Sequence, residues 1–268
     1  MSHYQYGAQV HANGIRQHYL RYGGRGPALV IVPGITSPAV TWGFVAERFG
    51  ARFDTYVQDV RGRGLSQAGD DLDYGLDAQA DDVAALIRAL GLNDVTVLGH
   101  SMGGRIAIRM ARRHPDLSLA RLILADPPVS GPGRRPYPAN LPWYVDSIRA
   151  AVHGMDADAM REFCPTWTEQ QLRLRAQWLH TCDERAVVQS FEDFQRDDIH
   201  QDLPRVTVPT LLMGAGRGDV VTDADAGEVL SLLPDARFTR VENAGHMLPW
   251  DDEEGFYRAC GDFLGCPI

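Results

Sequence analysis

No run of apolar residues in the 268-residue chain approaches the ~20 that a membrane-crossing helix needs. Its start, Met1-Ser2-His3-Tyr4-Gln5-Tyr6, lacks basic residues followed by an apolar stretch, so no signal peptide is expected and the cytoplasm is the expected compartment. The four cysteines (Cys164, Cys182, Cys260, Cys266) contain no C-x-x-C spacing and read as reduced, packed thiols. H-E-x-x-H and paired Cys/His spacings are absent as well, and no metal or other cofactor is expected. A basic surplus is also missing: 26 basic residues face 35 acidic ones, for a net charge of −9. That excludes the phosphate-neutralising face on which nucleic-acid binding depends. The same imbalance would repel an anionic small molecule at long range, so such a ligand would need a local arginine. Nothing in the pattern speaks to oligomeric state.

What is present is ordinary globular material, 44% apolar and 23% charged, long enough for one or two domains. Short unbroken apolar runs recur at 28–32, 53–60, 95–98 and 122–125, bounded by glycine, proline or aspartate. Such runs suit strands buried on both faces of a parallel sheet. Between them, Val83, Leu86, Ile87 and Leu90 line one face of a helix over 77–90, and Gly91 stands where a left-handed cap would end it. After Asp126 the alternation breaks. Residues 127–204 open on Pro127-Pro128-Val129-Ser130-Gly131-Pro132-Gly133 and continue as a helical, aromatic-rich stretch. Strand–helix alternation resumes at 210–213, runs through 236–241 and closes with a helix near 252–264. The expectation is an α/β core, 1–126 and 205–268, with helices on both faces of a mostly parallel sheet, interrupted by a helical lid at 127–204.

The strongest local signal is Gly99-His100-Ser101-Met102-Gly103, a G-x-S-x-G between an apolar strand and a helix. A serine on a sharp strand-to-helix turn stands above the sheet edge, and flanking side chains would collide with the strand and helix beside it. This is the nucleophile elbow of the α/β-hydrolase fold. The oxyanion formed by attack needs backbone donors; the candidates are the N–H of Met102 and that of Ile35 in the loop Val32-Pro33-Gly34-Ile35-Thr36.

A hydroxyl becomes a useful nucleophile once a base takes its proton. His246 follows the last strand-like run and Gly245, in the Ser…acid…His order of this fold. Two aspartates compete to orient it. Asp219 follows the next-to-last strand, and Asp126 ends the one before; by position the two are equal candidates.

Over nearly its whole length the chain resembles the N-formylmaleamate deformylases of bacterial nicotinate degradation. The segments that carry the likeness are N-G-I-R-Q-H-Y-L-R-Y-G-G (13–24), V-P-G-I-T-S-P-A (32–39), T-W-G-F-V-A-E-R (41–48) and D-V-R-G-R-G-L-S (59–66). To these are added G-H-S-M-G (99–103), D-P-P-V-S-G-P-G-R-R (126–135), L-P-W-Y-V-D-S-I-R (141–149) and N-A-G-H-M-L-P-W-D-D (243–252). The lid segments weigh most, because the elbow is shared by the whole superfamily. The resemblance implies a triad of Ser101, Asp126 and His246, and hydrolysis of N-formylmaleamate to maleamate and formate through a formyl-serine.

Three of the five tryptophans (Trp143, Trp167, Trp178) fall in the lid with Tyr137 and Tyr144, where packing of a small local core is the first reading. Arg134, Arg135, Arg149, Arg161, Arg173, Arg175 and His180 interleave with them, which suits a small polar acid better than a fat. A substrate carboxylate would want a forked arginine; Arg134, Arg135 and Arg105 are the candidates, whereas Arg61 and Arg63 read as structural. The competing readings are a carbon–carbon bond hydrolase of ring-cleavage products, a carboxylesterase, and a ligand receptor on the same fold.

Overall fold

The computed structural model describes residues 2–233 and 235–268. Among them, eight strands form one sheet: β1 (Tyr4–Ala12), β2 (Ile15–Tyr22), β3 (Ala28–Val32), β4 (Asp54–Gln58), β5 (Val95–His100), β6 (Leu119–Ala125), β7 (Thr210–Ala215) and β8 (Ala236–Val241). Their order is β1-β2-β4-β3-β5-β6-β7-β8. The β1–β2 and β2–β4 pairs are antiparallel, and every pair from β4 to β8 is parallel. Asn13 and Gly14, both at positive φ, make the tight turn that closes the first hairpin.

The unbroken apolar runs are explained by two cores, one on each face of the sheet. Val30 and Val32 of β3, Val97 of β5, and Leu122 and Leu124 of β6 enter the first. Their neighbours Leu29, Ile31, Leu98, Ile123 and Ala125 enter the second. All ten have no exposed surface, so alternation by polarity is lost while alternation by direction is kept. The helices follow in chain order: α1 (Gly43–Phe49), α2 (Leu76–Ala89) and α3 (Met102–Arg113), then α4 (Leu141–Val152), α5 (Ala157–Arg161), α6 (Glu169–Trp178) and α7 (Glu184–Arg196), and last α8 (Asp223–Leu232), α9 (Leu248–Asp251) and α10 (Glu253–Leu264). Helices α2 and α3 cover the first core, and α1 and α10 the second.

Helix α2 lies within a residue of its expected span, and Gly91 takes the left-handed conformation (φ 63°) expected of its cap. The closing helix, α10, likewise begins within a residue of its expected span, and a separate short helix with Pro249 in its first turn, α9, precedes it. Helices α4–α7 all lie between β6 and β7, so the chain leaves the sheet after Ala125 and rejoins it at Thr210. All four cysteines are free, three of them buried. No helix among the described residues is long and apolar enough to cross a membrane.

Candidate active site

Strand β5 ends at His100 and α3 begins at Met102, leaving Ser101 on the corner with φ 53° and ψ −121°. A non-glycine residue at positive φ is strained, and such strain survives only where the surroundings enforce it. Here they do. A Cβ on Gly103 would overlap the Val32 carbonyl oxygen, and one on Gly99 the Gly103 carbonyl, so α3 sits directly against β3 and β5. Asp126, at the corresponding end of β6, is also at positive φ (50°). The Ser101 N–H donates to the Ala125 carbonyl and the Asp126 N–H to the Met213 carbonyl, each at 2.9 Å, which staples the two corners to neighbouring strand ends.

The loop after β8 brings in His246. Its Nε2 lies 2.9 Å from Ser101 Oγ, and its Nδ1 lies 2.7 Å from Asp126 Oδ2. Asp126 has no exposed surface, and its other carboxylate oxygen accepts the Ala215 N–H at 3.3 Å. That fixes the Nδ1–H tautomer of His246 and leaves Nε2 free to accept the serine proton. Asp219 is exposed at the rim and makes no hydrogen bond to His246. Of the two aspartates that sequence position left equal, the structure brings Asp126 to the histidine.

Beside Ser101 runs the loop after β3, where a Cβ on Gly34 would stand 3.4 Å from the Ser101 Cβ. Ile35 follows in this loop, and Met102 begins α3. Neither backbone N–H donates to another group among the described residues, as two waiting oxyanion donors should not. Arg63 steadies both residues: its Nε donates to the Ile35 carbonyl at 3.0 Å, and one terminal nitrogen lies 3.7 Å from the Met102 sulfur. Arg61, forked onto Asp82 at 2.6 Å, is structural as expected.

The residue before the serine was not singled out by sequence. The His100 ring is buried, and its Nε2–H donates to the His246 carbonyl at 2.9 Å, tying the base loop to the elbow. Burial, reinforced by His246, pushes its pKa down to about 3. A depressed folded-state value means that stability present above the ordinary histidine range is lost as pH falls toward 3. Urea midpoints should therefore drop between pH 7 and pH 5. His100→Gln keeps an N–H for the carbonyl but has nothing to protonate, so its midpoint should drop less. Equal drops in both proteins would remove this role from His100.

A cavity of about 450 Å³ opens over Ser101 and His246. The segment between β6 and β7 supplies much of its wall, including Tyr137, Trp143 and Trp167. Trp167 stacks on Trp250 at 5.3 Å, so that tryptophan packs on the core as well as within its own helices. The Tyr137 hydroxyl lies 3.3 Å from His246 Nε2 and 3.1 Å from the Tyr144 hydroxyl; burial holds the phenol protonated well past its ordinary range. Among the described residues, no group of three or more His, Cys, Asp or Glu side chains could hold a metal ion.

The three arginines expected to meet a substrate carboxylate are engaged elsewhere. Arg134 pairs with Glu228 at 2.5 Å and Arg135 with Asp225 at 2.7 Å. Arg105, 1% exposed, gives its fork to the carbonyls of Pro128, Ser130, Asp193 and Asp197, lashing both ends of the inserted segment to α3.

Residues 27–253 match the family model described as the alpha/beta hydrolase fold. Along its entire 268 residues the chain is 62% identical to an N-formylmaleamate deformylase of Pseudomonas putida, covering all of both chains. It is 37% identical over 262 residues to a 2-(acetamidomethylene)succinate hydrolase of Mesorhizobium japonicum, covering 91% of this chain and 90% of that one. Among solved structures, an N-formylmaleamic acid deformylase from Pseudomonas putida superposes with a TM-score of 0.92 at 55% identity, over 96% of this chain and all of the other. With a strained serine, a bridging histidine and a buried aspartate at strand ends on one edge of the sheet, and with these relatives, the chain belongs to the α/β-hydrolase fold family, on the branch of the N-formylmaleamate deformylases.

Proposed function

We propose that the protein is a serine hydrolase that splits N-formylmaleamate with water into maleamate and formate. One observation carries the reaction class: the His246 ring stands within hydrogen-bond reach of Ser101 on one edge and Asp126 on the other. The substrate rests on full-length likeness to a deformylase of that compound.

Ser101 Oγ attacks the formyl carbon while its proton passes to His246 Nε2, and the carbonyl oxygen turns toward the N–H groups of Ile35 and Met102. Nε2 then returns the proton to the amide nitrogen. The C–N bond breaks, maleamate leaves, and the formyl group stays as an ester on Ser101. Water attacks this ester and gives a proton to Nε2, which restores the serine hydroxyl as formate departs. Asp126 stabilises the imidazolium present at both barriers. A nitrogen flanked by two carbonyls leaves more readily than that of a plain amide, which suits this apparatus. Residues 127–204 serve as the lid over the reaction. Nicotinate breakdown in the cytoplasm, the setting that the resemblance and the composition suggest, is part of the same proposal.

Incubation of the enzyme with N-formylmaleamate should yield one formate per substrate consumed, measured by coupled formate oxidation. Formate at no more than the enzyme-free rate would sink the assignment.

A further inference from the structure

We infer that Arg175, on α6, is the anchor for a carboxylate of the substrate, so that the site takes small acyl donors carrying a free acid. The inference rests on the deformylase reading for the acyl group and on the cavity wall for the acid.

The chain contains no lysine, so every side-chain cation but histidine is an arginine. Four arginines lie buried: Arg61, Arg63, Arg105 and Arg175. Arg61 has a carboxylate partner in Asp82. Arg63 reaches three backbone carbonyls and the Ser190 hydroxyl, and Arg105 reaches four carbonyls. Arg175 differs. Its terminal nitrogens donate to the carbonyl and the hydroxyl of Thr36, at 3.1 and 3.0 Å, and the buried Cys164 thiol lies beside it. Its Nε–H is buried without a partner, and no carboxylate lies within ion-pair distance among the described residues. A guanidinium has five N–H donors in a planar fork, so most of this one's capacity is unspent. A buried charge without a counter-ion is costly, and a protein of net charge −9 has supplied none here.

Arg175 is also the one arginine in the cavity wall among the described residues. Its guanidinium carbon lies 5.6 Å from the Trp167 ring and 6.0 Å from the Trp143 ring, two aromatic faces that fix its plane. The other charged groups in that wall repel an anion: Asp219 at the rim and Asp251, which accepts the Gly245 N–H at 2.9 Å. Among the charged side chains of that wall, Arg175 alone attracts an anion. Thr36 follows the oxyanion candidate Ile35 directly, so the same residue that aims Arg175 sets the spacing between the anchored acid and the reacting carbonyl.

The test separates an anchor from a mere prop for the Thr36 loop. The full-length enzyme, Arg175→Met and Arg175→Lys are assayed with N-formylmaleamate, which is anionic, and with p-nitrophenyl formate, which is neutral. The ratio of the two kcat/KM values should fall about a hundredfold in Arg175→Met and about tenfold in Arg175→Lys, which keeps charge but not the fork. Equal losses on both substrates would make Arg175 a loop prop and overturn the inference. Maleate should inhibit ester hydrolysis by the unaltered enzyme far better than does the uncharged diamide of maleic acid. That preference should vanish in Arg175→Met; if the methionine variant does not fold, it should weaken about tenfold in Arg175→Lys. Persistence of the full preference in the folded variant would equally overturn the anchor. The inhibition experiment needs only an active serine, so a failure to release formate from N-formylmaleamate would reject the substrate and leave the anchor to be judged separately.

Discussion

Replacing Ser101 with alanine should lower kcat for formate release by about a million-fold, the scale at which a serine relay loses its nucleophile. The hydroxyl is the atom that forms and breaks the bond to the formyl carbon. Without it, His246 has no proton to take and no covalent intermediate can form. What remains is binding and the two backbone donors at Ile35 and Met102, which together are worth roughly 10³–10⁴ over the uncatalysed rate. Fold should survive, because the positive φ at residue 101 is enforced by Gly99, Gly103 and the Ala125 hydrogen bond, none of which the substitution touches. The melting temperature should therefore stay within a few degrees, while a fluorophosphonate probe, which labels the unaltered enzyme at Ser101, should leave the variant unlabelled. A folded alanine variant that still turns over at one per cent of the original rate would require another nucleophile, and the mechanism would have to be rebuilt around it.

The parts of this site that could be read from sequence are those whose chemistry is local. Ser101 declares itself because the glycines that its strained corner demands are two residues away on either side. His246 follows from its place after the last strand. The sheet was legible for a similar reason: strands buried on both faces must be apolar throughout, and their ends are marked by glycine, proline and aspartate. The choice between Asp126 and Asp219 was not legible from position, because both follow parallel strands that end at one edge; only the family resemblance pointed to Asp126. The local difference lies in backbone torsion at residue 126, to which the amino-acid letters are blind. The arginines failed differently. Arg134 and Arg135 looked free because their partners, Glu228 and Asp225, lie about ninety residues away on α8. Arg175 stood among several lid cations suited to a small polar acid but not among the three carboxylate candidates, and only tertiary packing reveals that α6 turns it inward onto Thr36. Trp143 and Trp167, the rings it meets, stand apart from it in sequence, so only the aromatic-rich, cation-bearing composition of the inserted segment hinted at the contact. His100 is hidden at sequence level by the elbow itself, since the pattern tolerates any residue there.

The Asp126→Asn substitution should lower kcat about ten-thousand-fold with little change in KM, the loss expected when a serine relay keeps its geometry but holds its histidine in the wrong tautomer. The local hydrogen bonds say why. One oxygen of Asp126 accepts the Ala215 N–H, so an asparagine would keep its carbonyl there and turn its NH₂ toward His246 Nδ1. Facing a donor, Nδ1 must become the acceptor, and the ring proton moves to Nε2. That nitrogen then points a hydrogen at Ser101 and cannot take the serine proton. The substrate-facing surface is unchanged, which is why the loss should fall on kcat. Asp219→Asn alters a solvated carboxylate at the cavity rim and should change kcat no more than about threefold, in keeping with the small effects of exposed charges. Comparing the two variants in steady-state formate release therefore tests the relay as a whole. A ten-thousand-fold loss at residue 219 with near-normal turnover at residue 126 would mean that a loop movement hands the histidine to the rim aspartate during catalysis.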